Sequence, residues 1–322
     1  ALRRFKYMVD ARPMTVFTAA TAAVREAEDG PAFVAKVREQ TGLEIRVLSG
    51  AEEARYAALG VLAGDPAAEG VVGDLGGSSL ELTRLHNGAE PEEALGGGVT
   101  LPLGPFALAG TDGFDLDKVR ARVAKRLAPA ERGFRARRFH AVGGAWRNLA
   151  LLHMRLGAYP LEIIHQYALT AREALDLARF IARQSRGSLE RIEGVSKKRV
   201  ETLPYAALVL EGVVERLGVE QVELSAYGVR EGLIYEAMAP EVRRLDPFLE
   251  GMRVGLADAE LFRAEGELEV VGQAQAADEV AVALDVVLTQ VLQQTTTATN
   301  QQQQATTGVV VVRVGLEVLG QI

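Results

Sequence analysis

Residues 71–81 read VVGDLGGSSLE. Val71 and Val72 begin an apolar strand that runs into Asp74; Gly76 and Gly77 follow, then the hydroxyls of Ser78 and Ser79, then Glu81. A carboxylate at a strand end beside a Gly-Ser turn suits a site that holds phosphate. Glycines let backbone N–H groups approach an oxyanion closely, and hydroxyls add donors. Carboxylates cannot themselves bind phosphate, so they imply a divalent cation or an activated water. The same residues also read as a plain strand–turn–strand hairpin, because Leu80 and Leu82 alternate with polar neighbours. This segment alone leaves both readings open.

Outward from this segment, short strands alternate with helical patterns. On the N-terminal side, residues 1–11 read as a helix end, 14–18 (MTVFT) as a strand, 19–27 as a loop or helix, and 31–41 as a helix. Pro31 sits well in a first turn and Gly42 is a good C-cap. Residues 44–48 (EIRVL) alternate as a strand, and Ser49 is a candidate N-cap for a helix over 51–62 (AEEARYAALGVL). Residues 64–69 read as a linker. On the C-terminal side, 95–106 is punctuated by Gly and Pro and reads as a loop. Helices are expected at 115–130, 146–156, 171–184, 199–217 and 229–238, and strands at 138–142 and 220–226. Strand, Gly loop and helix recur at 71–81, 138–150 and 220–235, which argues for an α/β fold with its loops gathered at strand C-termini.

The 322 residues allow two or three domains, and a hydrophobic content of 48% is enough for sizeable cores. There is no cysteine, which excludes disulfides and Cys-ligated zinc. No apolar run of about 20 residues suggests a membrane span, and the opening ALRRFKY has no secretory signal pattern. A cytoplasmic location fits. Residues 251–322 carry nine acids against three arginines, which places −6 of the net charge of −7 there and leaves the body near neutral. The tract 289–307 is rich in Gln and Thr and lacks a core pattern, whereas 309–314 (VVVVRV) reads as a strand.

Several side chains have both a chemical and an ordinary reading. Glu52 and Glu53 follow Ser49-Gly50, where acids also simply favour a helix N-terminus. Thr21 and Arg25 share a helix face, and arginine there is either an anion clamp or a surface residue. Gly143, Gly144 and Arg147 form a second Gly-rich loop after a strand, with Trp146 read as packing. Gly228 and Arg230 lie at a third strand-to-helix turn, where an oxyanion would sit. His140 and His165 are isolated and read as core or edge residues. Lys197, Lys198 and Arg199 are either solvated surface or a landing strip for a polyanion.

The ordered succession is more specific than any one block. ATAAVR (20–25), SGAEEAR (49–55), DLGGSSLE (74–81), TLPLG (100–104), AVGGAWR (141–147), TLPYAA (202–207) and SAYGVREG (225–232) closely resemble the exopolyphosphatase / guanosine pentaphosphate phosphohydrolase (Ppx/GppA) family. The resemblance covers roughly residues 1–250 and is to a branch like the short bacterial members. It implies the actin/sugar-kinase/Hsp70-like (ribonuclease H-like) two-domain α/β fold. On this basis 1–66 would be the remainder of the first α/β domain, 67–240 the second, and 241–322 a divergent C-terminal region. The family's opening Asp-x-Gly-Ser-x-Ser phosphate loop is not found here, so a truncated first domain is expected. Ser78 stands where the family has a third glycine, with a conformational cost if that position needs positive φ.

Carried over by position, the resemblance makes Glu53 the general base and Asp74 and Glu81 the carboxylates that hold Mg²⁺ or Mn²⁺. Gly76, Gly77 and Ser79 become the phosphate cradle, with Gly143 and Gly144 as a second phosphate loop. Arg25 and Arg230 become cationic clamps. The implied activity is hydrolysis of the terminal phosphate of polyphosphate, of guanosine pentaphosphate, or of both. The implied partners are polyphosphate or guanosine penta/tetraphosphate and a second copy in a homodimer, with no nucleic acid and no membrane. A non-catalytic polyphosphate or alarmone sensor and an ATP-dependent kinase of the same fold are the alternatives. The EEAR block argues against the kinase.

Overall fold

A computed structural model describes residues 2–11, 14–88, 91–109, 113–192, 199–247, 249–251 and 308–314. The central layer is a six-stranded mixed sheet built from β3 (Gly70–Leu75), β4 (Leu80–Leu85), β5 (Leu95–Leu101), β6 (Arg138–Val142), β7 (Tyr167–Thr170) and β8 (Gln221–Leu224). Its strand order is β5-β4-β3-β6-β8-β7. β3, β4 and β5 form an antiparallel meander, β3, β6 and β8 run parallel, and β7 closes the far edge antiparallel to β8. A second, all-parallel sheet has the order β2-β1-β9, with β1 (Met14–Ala20), β2 (Arg46–Val47) and β9 (Gly308–Val314).

Period-2 alternation sends successive side chains of the large sheet to two different cores. Val71, Leu75, Leu80 and Leu82 join one core with α7 (Leu116–Leu127), α8 (Gly144–Leu156), α9 (Ala171–Ala182) and α11 (Leu203–Leu217). Trp146 sits in that core, its ring edge-on to Phe139 and its N–H donating to the Ala206 carbonyl at 3.0 Å. Val72, Leu85 and Val142 face the other core, covered by α4 (Gly50–Gly64) and α12 (Val229–Ala237). A third, smaller core gathers Ala20, Val24, Phe33 and Val37 around α1 (Leu2–Asp10), α2 (Ala22–Arg25) and α3 (Gly30–Thr41). Short helices α5 (Pro91–Ala94), α6 (Pro105–Leu108), α10 (Arg186–Arg191) and α13 (Pro240–Arg243) complete the described elements.

Helices α4 and α12 meet backbone to backbone. A Cβ on Gly232 would lie 1.9 Å from the Tyr56 carbonyl oxygen, and one on Gly60 would lie 2.2 Å from that of Gly228. Only glycine permits this approach. The crossing draws the EEAR helix and the helix that follows SAYG onto one face of the sheet.

Most element positions agree with the sequence reading, including the strand at the C-terminal VVVVRV. Three differ. The segment 71–81 is strand–turn–strand, not strand–loop–helix: Leu75 pairs with Leu80, and the turn is only Gly76–Ser79. The expected loop at 95–106 holds β5 and α6. Its three glycines have weak strand propensity, but β4 supplies an edge to pair with, and Gly50 and Ala54 of α4 pack on Thr100 and Gly98. β7, which local patterning does not reveal, is likewise an edge strand made by pairing with β8. The low-complexity tract 289–307 lies outside the described residues. Among the described residues no helix is long and apolar enough to cross a membrane.

Candidate active site

Ser49 caps α4 with a complete capping box. Its hydroxyl accepts from the Glu52 amide at 3.2 Å, and the Glu52 carboxylate accepts from the Ser49 amide at 2.8 Å. That fixes the phase of the helix and separates the two glutamates. Glu52 turns back to the cap and to Arg46, and the Ser49 amide followed by the Arg46 guanidinium lowers its pKa to about 2. Glu53, one residue further round, is 1% exposed and accepts from Arg25. We expect Glu52→Ala to cost about 0.5–1 kcal/mol in urea unfolding at pH 7 and to leave turnover unchanged. The stabilisation by Glu52 is present above its ordinary value near 4.5 and is lost as pH falls through about 2.

Three carboxylates converge near the end of β3. Register pairs Asp74 directly with Glu81 across β3 and β4, so both leave the sheet on the face that α4 covers. Each is 1% exposed, like Glu53. Burial pushes the Glu81 carboxyl up to about 9; the charges of Glu53 and then Asp74 add to this, and only the Ser79 hydroxyl and Arg25 oppose it. Arg25 donates to the Leu48 carbonyl at 2.7 Å and to the Glu53 carboxylate at 3.2 Å.

A cavity of about 320 Å³ opens at the edge of this cluster, bordered by Glu53 and Asp74 but not by Glu81. Glu53, Asp74, Gly76, Gly77, Gly143 and Gly144 all border it. The turn at its rim is closed by Gly76 donating to Ser79 at 2.9 Å and braced from outside by Gly104 donating to Ser78 and Phe106 to Gly77, at 3.0 and 2.9 Å. The Gly76 amide is therefore spent within the turn. The amides of Gly77 and Ser78 donate to no backbone carbonyl among the described residues and are available to a ligand at the rim. Ser78 is not in the left-handed region, so serine in place of the expected glycine brings no backbone strain. Gly143 does need to be glycine. Its φ is 112°, and a Cβ there would lie 2.5 Å from the Leu75 carbonyl oxygen and 3.2 Å from Asp74 Oδ1. It lets α8 begin against Asp74, with its first amides at the cavity wall.

The other candidate residues stand differently. Ser79 is buried behind the turn and does not border the cavity, whereas Ser78 does. Arg25 has a partner in Glu53 and borders a separate, larger groove of about 860 Å³, lined by Val24, Pro31, Val34 and Val47, which holds none of the three carboxylates. Arg230 is half exposed, paired with Glu231 at 2.5 Å, and off the cavity wall. The arginine at the wall is Arg199, joined by Thr21 and Thr202. Its sequence signal is the short basic run at 197–199; nothing local ties that run to Gly144. Arg147 is largely buried near Asp74 and Glu231, donates to the Ala226 carbonyl at 3.3 Å, and has its pKa lowered chiefly by burial. His140 bonds the Glu69 carbonyl and is a core residue, as expected. Among the described residues no three His, Asp or Glu side chains form a ready-made metal cage.

Comparison with known proteins agrees with this geometry. The chain is 33% identical over 250 residues to Exopolyphosphatase 1 of Mycobacterium leprae, covering 72% of this chain and 68% of that protein. Its structure is similar to an exopolyphosphatase from Cytophaga hutchinsonii, with TM-score 0.64, 19% identity, and coverage of 73% of this chain and 79% of that one. It is also similar to the Ppx-GppA enzyme of Aquifex aeolicus, with TM-score 0.62, 22% identity, and coverage of 72% and 79%. The fold is thus the actin-like one. The Ppx/GppA phosphatase model matches residues 1–241, the span that carries the three carboxylates and both Gly loops. By that match and that identity, the chain belongs to the Ppx/GppA phosphatase family.

Proposed function

We propose that this chain hydrolyses the terminal phosphoanhydride of inorganic polyphosphate. The observation that carries this reading is the buried triplet Glu53, Asp74 and Glu81 beside a cavity walled by two Gly-rich turns. A water held by Glu53 attacks the terminal phosphorus, and the bond from phosphorus to the bridging oxygen breaks on the opposite side. Glu53 takes one proton from that water. The shortened chain leaves with the bond pair on its terminal oxygen, and orthophosphate is the second product. Glu53 is a weak base, so most of the rate comes from alignment and charge neutralisation. The free amides of the 76–79 turn and of the α8 start supply donors for the oxygens of the transferred group.

Asp74 and Glu81 are the residues that would hold Mg²⁺ or Mn²⁺. They are hard oxygen donors set opposite each other, and neither Glu81 oxygen has a well-formed hydrogen bond among the described residues. Such an ion, when bound, neutralises charge on the transferred phosphate. Polyphosphate is favoured over guanosine pentaphosphate because the similar mycobacterial relative is named an exopolyphosphatase; the same site would act on a 5′ γ-phosphate.

The test is orthophosphate release from medium-chain polyphosphate and from guanosine pentaphosphate, in Mg²⁺, in Mn²⁺ and in chelator. The expected result is release from polyphosphate that stops in chelator. Release from the nucleotide alone would overturn the substrate, and undiminished release in chelator would overturn the cation.

A further inference from the structure

The rim turn at 76–79 is held by the segment 102–108, and two arginines of α7 hold that segment in turn. Arg122 and Arg126 are four residues apart and share a helix face. Both donate to backbone carbonyls of the segment: Arg122 to that of Leu108, and Arg126 to that of Pro102 and, at 3.0 Å, to that of Ala107. Like charges at this spacing disfavour a helix. Burial, and then the charge of Arg122, lowers the Arg126 pKa. Two half-buried arginines kept side by side against both effects are explained by the carbonyls they hold. Those of Ala107 and Leu108 end α6, where a guanidinium satisfies groups that the helix leaves unpaired.

The brace reaches the cavity without slack. Leu103 and Leu108 are fully buried and pin the segment to the large core. A Cβ on Gly104 would lie 2.3 Å from the Gly77 carbonyl oxygen and 2.4 Å from the Ser78 carbonyl carbon, so segment and turn pack backbone on backbone. Phe106 donates to the Gly77 carbonyl. That carbonyl shares one planar, trans peptide with the Ser78 amide, so the bond that holds the Gly77 oxygen also aims the Ser78 N–H the opposite way, off the segment. Ser78 borders the cavity, and its amide is one of the two that the turn leaves available. A shift of the segment therefore turns the very peptide that faces a ligand.

We infer that Arg126, assisted by Arg122, is a positioning residue that sets the 102–108 segment and thereby aims the Ser78 amide at the transferred phosphate. This rests on the phosphoanhydride reading of the site. Arg126 is not among the residues that line the cavity and acts only through the segment. Orthophosphate release from polyphosphate in Mg²⁺, amide hydrogen exchange of the ligand-free chain and melting curves test it on wild type, Arg126→Ala, Arg126→Lys and Arg84→Ala. Arg84 is the control: it too donates to backbone carbonyls, those of Gly133 and Arg135, outside the 102–108 segment. Arg126→Ala should lower kcat about ten- to hundredfold, the effect of a small misplacement. KM should stay within about twofold, because the oxygens that the amide meets gain charge in the transition state. Exchange should quicken at 76–79 and 103–108. Arg126→Lys should recover part of kcat, since an ammonium keeps the charge and loses the fork that spans two carbonyls. Arg84→Ala should match wild type in kcat and in exchange at the turn.

A wild-type kcat in Arg126→Ala, an equal fall in Arg84→Ala, or unchanged exchange at the turn would overturn the inference. Where Arg126→Ala does not fold, Arg126→Lys decides, and a wild-type kcat there overturns it. Quickened exchange at the turn in a chain whose wild type releases no orthophosphate would instead overturn the hydrolase reading and leave Arg126 as a brace of the turn.

Discussion

Glu53→Gln should lower kcat for orthophosphate release from polyphosphate by about 10²–10⁴-fold, the range of a positioned general base. KM should hardly move, because proton transfer to Glu53 belongs to the transition state and not to substrate binding. The substitution is close to isosteric, and Arg25 keeps its bond to the Leu48 carbonyl and can still donate to the new amide oxygen. It also removes a negative charge from a crowded cluster of three carboxyl groups, which offsets the lost ion pair. The melting temperature should therefore stay within a few degrees of wild type. Initial rates of orthophosphate release, with melting curves on the same samples, make the measurement. Equal rates in the two proteins would remove Glu53 from the mechanism.

Glu81→Gln should do two opposite things: abolish metal-supported turnover and stabilise the fold in chelator above neutral pH. Glu81 is buried with no strong counter-charge, and its pKa is raised from 4.5 to about 9 by burial and by Glu53 and Asp74. The folded chain therefore keeps a proton that the unfolded chain releases between these values. More protons on the folded state means that stability falls as pH rises through this window. Glutamine has no proton to lose, so the variant escapes that fall. The gain should be on the order of 1–3 kcal/mol at pH 8 and vanish toward pH 4.5. At about 2–4 °C per kcal/mol it is visible in thermal melts. Mg²⁺ should shrink the gap by stabilising wild type alone. A gap that does not change between pH 5 and 8 would show that Glu81 is not held protonated in the empty site.

The site was partly legible because its local parts are strongly patterned. DLGGSSLE had two readings, and the structure joins them: the segment is a hairpin, and its turn is the rim of the cavity. Ser49-x-x-Glu52 is a capping box that can be read from spacing alone, and it already separates a structural glutamate from Glu53. The Gly143–Gly144 loop stands before a helix as its composition suggests. Legibility ended where a group's role depends on its neighbours. Arg230 looked like a clamp and is claimed by the adjacent Glu231. Ser79 looked like a cradle and lies behind the turn, while Ser78 faces the cavity. β5 and β7 have weak strand patterns and exist because β4 and β8 present edges to them.

From its sequence alone the chain determined its alternation of strands and helices, its caps and turns, and the kinds of groups that would meet phosphate. These are set within a few residues by periodicity, φ preference and side-chain-to-backbone hydrogen bonds. Only the tertiary structure decided which of those groups act together. Strand order opposes Glu81 to Asp74, the helix held by the glycine crossing of α4 and α12 brings Glu53 to the same cavity as Asp74, and the start of α11 sets Arg199 against Gly144. The reason is electrostatic as much as geometric: the charge and proton affinity of a carboxylate or guanidinium depend on burial and on distant residues brought within a few ångströms, which sequence spacing does not record.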